Sequence, residues 1–346
     1  MRTLSLGDYL LLGAVSLVTV NLLTPIMRYV ARRYGVVDIP SESHKTHRDP
    51  VPYLGGVAIV LGVVIVTYMA SLASDYSREN FLLASSVLIP AIIMGIVGFV
   101  DDLRKLNPWP RFIIQSMFGV SISMFLVATN TLGSPFGNNW IDIPLTTLFI
   151  VGITNSINFF DNIDGGASGA LAIAAIFLFI LSLQGSQYLI ASLSIVLAGA
   201  TVGFLFWNKP PARIYMGDAG ALFSGILIAS LAIRFDPNPI DSIASIAIPI
   251  LLLAIPILDT TVAVTSRIRR GVSPFQGGRD HLSHRLMRMK FNKRQTVLIL
   301  WLSSFLFASF ALAISYAGHS IERIITIIAA SIWLLIFYFF LKTKDV

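Results

Sequence analysis

A chain of 346 residues that is 55% hydrophobic and only 12% charged, with a mean hydropathy of +0.78, carries more apolar surface than a water-soluble core can bury. The absence of cysteine excludes disulfides and thiolate metal sites. The net charge of +7 invites a nucleic-acid partner, but placement matters more than size: the Lys and Arg lie in loops between apolar runs, and no nucleic-acid partner is expected.

Crossing the hydrocarbon takes roughly 20 apolar residues as helix, because lipid cannot satisfy an exposed backbone. Runs of this kind fall at 7–27, 54–73, 82–100, 112–130, 143–160, 168–184, 188–206, 219–235, 243–265, 296–317 and 322–341. They predict an all-α, polytopic integral membrane protein of about 11 helices, a single transmembrane unit over 1–346. The first run is too long for a secretory leader and only Arg2 precedes it, so it is expected to be retained. With the loops numbered in order, 21 of the 25 Lys and Arg lie in odd loops or the C-terminal tail, leaving Arg2, Arg78, Arg234 and Arg323 on the other side. The positive-inside rule then puts the N-terminus outside and the odd loops and C-terminus in the cytoplasm.

The residues that need explaining occupy those same odd loops, near 31–53, 101–111, 161–167, 207–218 and 266–295. Lys45, His47 and Arg48 offer donors in the first. Asp101 and Asp102 end the wholly apolar run GIVGFVDD in the second, with Arg111 shortly after. Asn155, Asn158, Asp161 and Asp164 recur every three residues in NSINFFDNIDGG, a spacing that predicts one polar helical face. Asp218 opens the eighth helix in IYMGDAG, where an acidic side chain also serves as a cap, and Tyr215 is either a stacking platform or an interfacial anchor. In the ninth span Asp259 needs a partner, for which Arg267 and Arg269 are the candidates. The ninth loop adds nine basic residues with His281 and His284 three apart, a pattern that serves as membrane anchoring or as a phosphate clamp.

Any one of these acids is explained by capping or interfacial solvation. Five together would repel one another unless they shared a cation. Hard oxygen donors without cysteine point to Mg2+, with Mn2+ as the alternative, and Mg2+ commonly bridges a few carboxylates to substrate phosphates. No Walker-type glycine loop is present, so metal and side chains would have to hold the phosphates.

Taken in order, KTHRDPVPYLGG, the Asp101–Asp102 pair followed by Arg111 and Gln115, NSINFFDNIDG, the N-x9-D spacing that ends in MGD, and DHLSHR resemble the polyprenyl-phosphate N-acetylhexosamine-1-phosphate transferases. That family includes the phospho-MurNAc-pentapeptide translocase, and the similarity spans nearly the whole chain. It implies that Asp218 binds the Mg2+ that holds a diphosphate, and that Asp101 and Asp102 handle the acceptor phosphate and are further candidate metal ligands. It implies contacts to uridine and its neighbours from Asn158, Asp161, Asp164, Asn208 and Tyr215, with Asn155 beside them, and to phosphates from His281 and His284. Lys45, His47, Arg111, Arg279 and Arg285 then match or flank basic positions of the cleft. Asn162 stands where the family usually has Gly, Gly166 where it has Leu, Ser283 where many members carry a middle His, and Tyr53 where an Arg is frequent. The absent triple-His pattern favours the GlcNAc-1-phosphate branch.

The implied reaction moves HexNAc-1-phosphate from a UDP-HexNAc to polyprenyl phosphate and releases UMP, which starts lipid-linked cell-envelope glycan synthesis. It would run on the cytoplasmic face of the cytoplasmic membrane, by a monomer or a homodimer. The rival from another class is an ion-coupled transporter, since intramembrane Asp residues often mark ion paths, although such residues then cluster near the midplane. A CDP-alcohol phosphotransferase shares the Asp161, Asp164, Gly165 opening of its signature, but the rest of that signature does not follow.

Overall fold

The computed structural model describes residues 4–38, 50–74, 77–104, 106–133, 135–237, 242–274 and 277–343. Lys45 and His47 lie outside the described residues. The helices are α1 (Leu6–Arg33), α2 (Gly55–Leu72), α3 (Ser77–Arg104), α4 (Pro108–Ala128), α5 (Asn139–Phe160), α6 (Gly166–Gln184), α7 (Tyr188–Asn208), α8 (Gly217–Arg234), α9 (Ser242–Leu252), α10 (Ala254–Arg269), α11 (Leu282–Arg288), α12 (Lys293–Tyr316) and α13 (His319–Lys342). A two-residue antiparallel ribbon, β1 (Val37–Asp38) with β2 (Val51–Pro52), joins α1 to α2.

Several helix starts follow from local chemistry. Ser5 with Asp8 and Asn292 with Gln295 form capping boxes at α1 and α12, while Asn107, ahead of Pro108, and Asn138 cap α4 and α5. Each cap satisfies backbone N–H groups that the first turn of a helix leaves without partners.

Ten of the described helices, α1 to α8 with α12 and α13, are long and apolar enough to cross a membrane. The chain is therefore a multi-pass membrane protein. The ninth predicted span departs from expectation: in place of one helix over 243–265, α9 and α10 meet at a bend of 77°. The break falls at Leu253, between Pro249 and Pro256. Pro256 is the third residue of α10, where no helical carbonyl needs its N–H; in a continuous helix its ring would strike the carbonyl of Leu252.

Of the apolar windows of α6 and α8, 78% is buried, against 11% for α13, so α6 and α8 lie at the core of the bundle and α13 at its periphery. Helices α2, α3 and α5 all pack on α8. A Cβ added at Gly56 would stand 2.1 Å from the Gly220 nitrogen, so α2 and α8 touch backbone to backbone. Such contacts supply the close packing that helices in lipid rely on. The Gly55 and Gly56 N–H groups donate to the Tyr215 and Met216 carbonyls (3.0 and 2.8 Å), and Tyr215 N–H donates to the Pro52 carbonyl (2.8 Å). The connection into α8 is thereby stitched to the entrance of α2.

Candidate active site

The two acids that end α3 have different work. Asp101 accepts the Leu106 N–H through Oδ1 (2.6 Å) and Arg111 Nη1 through Oδ2 (2.5 Å). Asp102 accepts the Asp218 and Ala219 N–H groups (2.8 and 3.1 Å), so one helix caps the N-terminus of another. This leaves Asp218, the capping candidate by sequence, free of that duty. Its Oδ1 accepts from Asn158 Nδ2 (2.6 Å) and its Oδ2 from Arg111 Nη1 (2.8 Å). One guanidinium nitrogen therefore joins Asp101 to Asp218. Gly217, at φ +70°, makes the turn; a side chain there would be strained and would meet the Asp102 carboxylate at 2.7 Å.

The three-residue polar spacing does not continue as a helix, because α5 ends at Phe160 and Asp161 is its C-cap. Burial, reinforced by the nearby Asp218, Asp102 and Asp164 carboxylates, holds the Asp161 carboxyl well above the ordinary carboxylate range. Asp164 accepts the Ala212 N–H (3.1 Å) and faces Lys293 at 3.5 Å. Asn208 ties the same loops together, accepting from Gly165 N–H and Ser168 and donating to the Ile214 carbonyl. Tyr215 and Tyr53 tilt toward each other with ring centroids 6.1 Å apart. Burial first, and then Asp164 for Tyr215 and Asp38 for Tyr53, raise both phenols, which stay protonated donors.

In the ninth loop the pairing differs from the sequence expectation. Asp259 meets neither Arg267 nor Arg269 but accepts from His281 Nδ1 (2.7 Å) and the Leu282 N–H (2.7 Å). Arg267 grips Asp280 bidentately (2.9 and 2.8 Å). Burial works against the Asp280 carboxylate, but the hydrogen bonds and charge of Arg267 outweigh it and hold Asp280 below its ordinary value. Arg285, a predicted substrate ligand, is buried away from the site. It donates to the Asp280, Phe340 and Thr343 carbonyls, so its guanidinium fastens α11 to the end of α13. Arg279 is exposed, outside the cavity described next.

A single cavity of about 540 Å³ collects the rest. It is lined by Asp101, Asp102, Asn158, Asp161, Asp164, Asn208, Tyr215, Asp218, His281 and His284, with Arg111 directly behind Asp101 and Asp218. Asp38 and Lys293 also line it and were not singled out by sequence, and Tyr53 and Asn162, noted there only as departures from the family pattern, line it as well. Tyr53 stands two residues ahead of the Gly55–Gly56 pair, and Lys293 directly follows the α12 cap Asn292; these positions were the available signals. Asn155 instead faces a second, apolar groove of about 870 Å³ between α4, α5, α8, α9 and α10, lined by Phe112, Leu148, Phe149, Phe235, Pro249 and Ile257 among others. Along α5 the two spaces are neighbours: Asn155 and Phe159 line the groove and Asn158 the cavity.

Among the described residues no three His, Asp or Glu form a cage for a metal ion. The acids expected to grip one ion jointly are cross-linked instead through Arg111 and peptide N–H groups. The donor set still fits Mg2+ in its commoner mode, one or two carboxylates completed by substrate phosphate and water, since Asp218 and Asp161 bring hard oxygens to the same cavity wall.

Residues 84–236 match the family described as glycosyl transferase family 4. Over 332 residues the chain is 36% identical to a probable undecaprenyl-phosphate N-acetylglucosaminyl 1-phosphate transferase of Bacillus subtilis, covering 94% of this chain and 87% of that protein. A decaprenyl-phosphate N-acetylglucosaminephosphotransferase of Mycobacterium tuberculosis is 32% identical over 86% of this chain and 80% of its own length. A phospho-N-acetylmuramoyl-pentapeptide-transferase of Caldicellulosiruptor bescii is 26% identical over 86% and 93%.

Proposed function

The chain belongs to glycosyl transferase family 4, and from that premise we propose that it transfers GlcNAc-1-phosphate from UDP-GlcNAc to undecaprenyl or another polyprenyl phosphate at the cytoplasmic face of the cytoplasmic membrane. The observation that carries the reading is an acid-lined polar cavity lying beside an apolar groove along α5, which suits a soluble nucleotide sugar meeting a lipid-borne phosphate.

An oxygen of the acceptor phosphate attacks the sugar-bearing phosphorus; the bond from that phosphorus to the bridging oxygen breaks, and UMP leaves with the electron pair. Bound Mg2+ would neutralise the diphosphate and stabilise the leaving charge. Asp218, with Asp161 beside it, would hold that ion. Asn158 and Arg111 fix the Asp218 carboxylate, and Asp102 fixes its backbone, so Asp102 acts through placement. An acceptor phosphate is largely ionised at neutral pH, and proton removal is a small part of the barrier. Asp101, Arg111 and Lys293 set the local charge, the protonated Tyr53 and Tyr215 offer donors to the nucleotide, and the groove orders the prenyl chain.

The test supplies purified protein with labelled UDP-GlcNAc and undecaprenyl phosphate and follows UMP. Turnover is expected with Mg2+, loss with EDTA, and loss of at least about 100-fold for Asp218→Asn. Turnover that persists unchanged in EDTA would remove the metal from the reading.

A further inference from the structure

The cavity presents two imidazoles whose surroundings differ. His281 has both ring nitrogens engaged: Nδ1 lies 2.7 Å from Asp259 Oδ2, and Nε2 lies 3.1 Å from Arg267 Nη2. A carboxylate only accepts and a guanidinium only donates, so these partners assign the proton to Nδ1 and the lone pair to Nε2. Neither neighbour is free to turn away. Arg267 is pinned by Asp280 and the Pro274 carbonyl, and Asp259 is fully buried and also holds the Leu282 N–H.

Asn162 completes the frame. Its Nδ2 donates to the Phe159 carbonyl (2.7 Å) and to Asp259 Oδ2 (3.2 Å), and its Oδ1 accepts from Ser283 Oγ. A flipped amide would turn its oxygen onto two acceptors, so one orientation is enforced. The turn after α5 is thereby tied at once to α10, through Asp259, and to α11, through Ser283. His284 lies one turn along α11 from the His281 N-cap; among the described residues its Nδ1 is buried without a hydrogen-bond partner while the ring lines the cavity. Burial, aided by His281, lowers its pKa to about 4, so it meets a ligand as a neutral imidazole.

We propose that the two histidines divide the work: His284 is the imidazole that touches substrate, and His281 is a positioning residue, held by Asp259 and Arg267, with Asn162 the tie that sets this frame against the cavity. The proposal rests on the transferase reading for what the substrate is, and on the hydrogen-bond pattern for which ring meets it.

The full-length protein in detergent is assayed for UMP release from UDP-GlcNAc and undecaprenyl phosphate, and for its unfolding temperature. His284→Ala and His284→Gln are expected to lower kcat about 100-fold or more at an unchanged or higher unfolding temperature, since an unsatisfied polar atom is removed. His281→Ala and Asn162→Ala are expected to lower both kcat and the unfolding temperature. His281→Asn should recover about tenfold or more over His281→Ala, because its amide can donate to Asp259 as Nδ1 does. Asn162→Ala should add little to His281→Ala but multiply the loss of His284→Ala. Wild-type kcat in the His284 variants, or His281→Asn as inactive as His281→Ala at the wild-type unfolding temperature, overturns the division. A wild-type chain that releases no UMP overturns the transferase reading instead, and the order of unfolding temperatures still decides which ring is built into the frame.

Discussion

Gly98 on α3 carries the most direct structural demand at the site. A Cβ there would lie 2.2 Å from the Asp218 carbonyl oxygen, 2.4 Å from its carbon and 2.6 Å from the Ala219 nitrogen. All three are backbone atoms, so no rotamer change relieves the clash. Ordinary van der Waals contact begins at 3.4 Å, and α3 and the first turn of α8 would have to part by about 1.2 Å. The same movement pulls the Asp218 and Ala219 N–H groups from Asp102 and the Asp218 carboxylate from Arg111. Overpacking of this kind costs about 1–3 kcal/mol in stability, and a misplacement of about 1 Å at a reacting centre about 100-fold in rate. Gly98→Ala is therefore expected to fold, to unfold at a lower temperature, and to lose most UMP release at saturating substrates. Gly7→Ala, whose nearest added contact is an ordinary 3.6 Å, is the control and should match wild type. Gly98→Ala with activity within about threefold of wild type at an unchanged unfolding temperature would refute the argument that backbone contact between α3 and α8 seats Asp218.

Arg111→Gln leaves Asp101 and Asp218 facing each other without a cation; the expected stability loss is about 3 kcal/mol, the low end for a broken buried pair because Asp218 retains 30% exposure. Arg111→Lys should recover much of it, since Nη1 alone serves both carboxylates; equal unfolding temperatures for wild type and Arg111→Gln would contradict the bridge. His284 sets an acid limb. Below its unfolded value of 6.5 the unfolded chain takes up a proton that the folded ring refuses until about pH 4, so stability present above pH 6.5 is lost as the pH falls through that window, by up to about 3 kcal/mol. Unfolding temperatures at pH 7 and pH 5 check this: wild type should lose more than His284→Phe, and equal losses would refute it.

The spans were legible because a run of about 20 apolar residues has few other uses. Their ends were less so: α1 continues to Arg33 and α3 to Arg104, since polar residues at an interface prolong a helix without adding hydropathy. The bend at Leu253 was invisible to an apolar window, which weighs composition and not the missing N–H of Pro256. The acids could be read as a group from their isolation among apolar residues, but their partners could not. Arg111, in the first turn of α4, lies 107 residues from Asp218, and the packing of α3 on α8, with α4 following directly after α3, brings them together. Asp259 was expected to take a nearby arginine on its own helix, yet the chain folds back so that His281 and Leu282 reach it first.

Charge balance links these facts to the chemistry. Six carboxylates line the cavity, those of Asp38, Asp101, Asp102, Asp161, Asp164 and Asp218. Arg111 forms ion pairs with Asp101 and Asp218, and Lys293 with Asp164. Left so, the field would repel a nucleotide diphosphate and an acceptor phosphate alike. Two features reduce it: burial keeps Asp161 protonated over a wider range of pH, and Asp102 is neutralised in part by the positive end of α8. The remainder is what the proposed Mg2+ answers. On the proposed reading the anionic donor enters together with the cation, so the apparent affinity for UDP-GlcNAc should rise with Mg2+, and an affinity that EDTA leaves unchanged would contradict it.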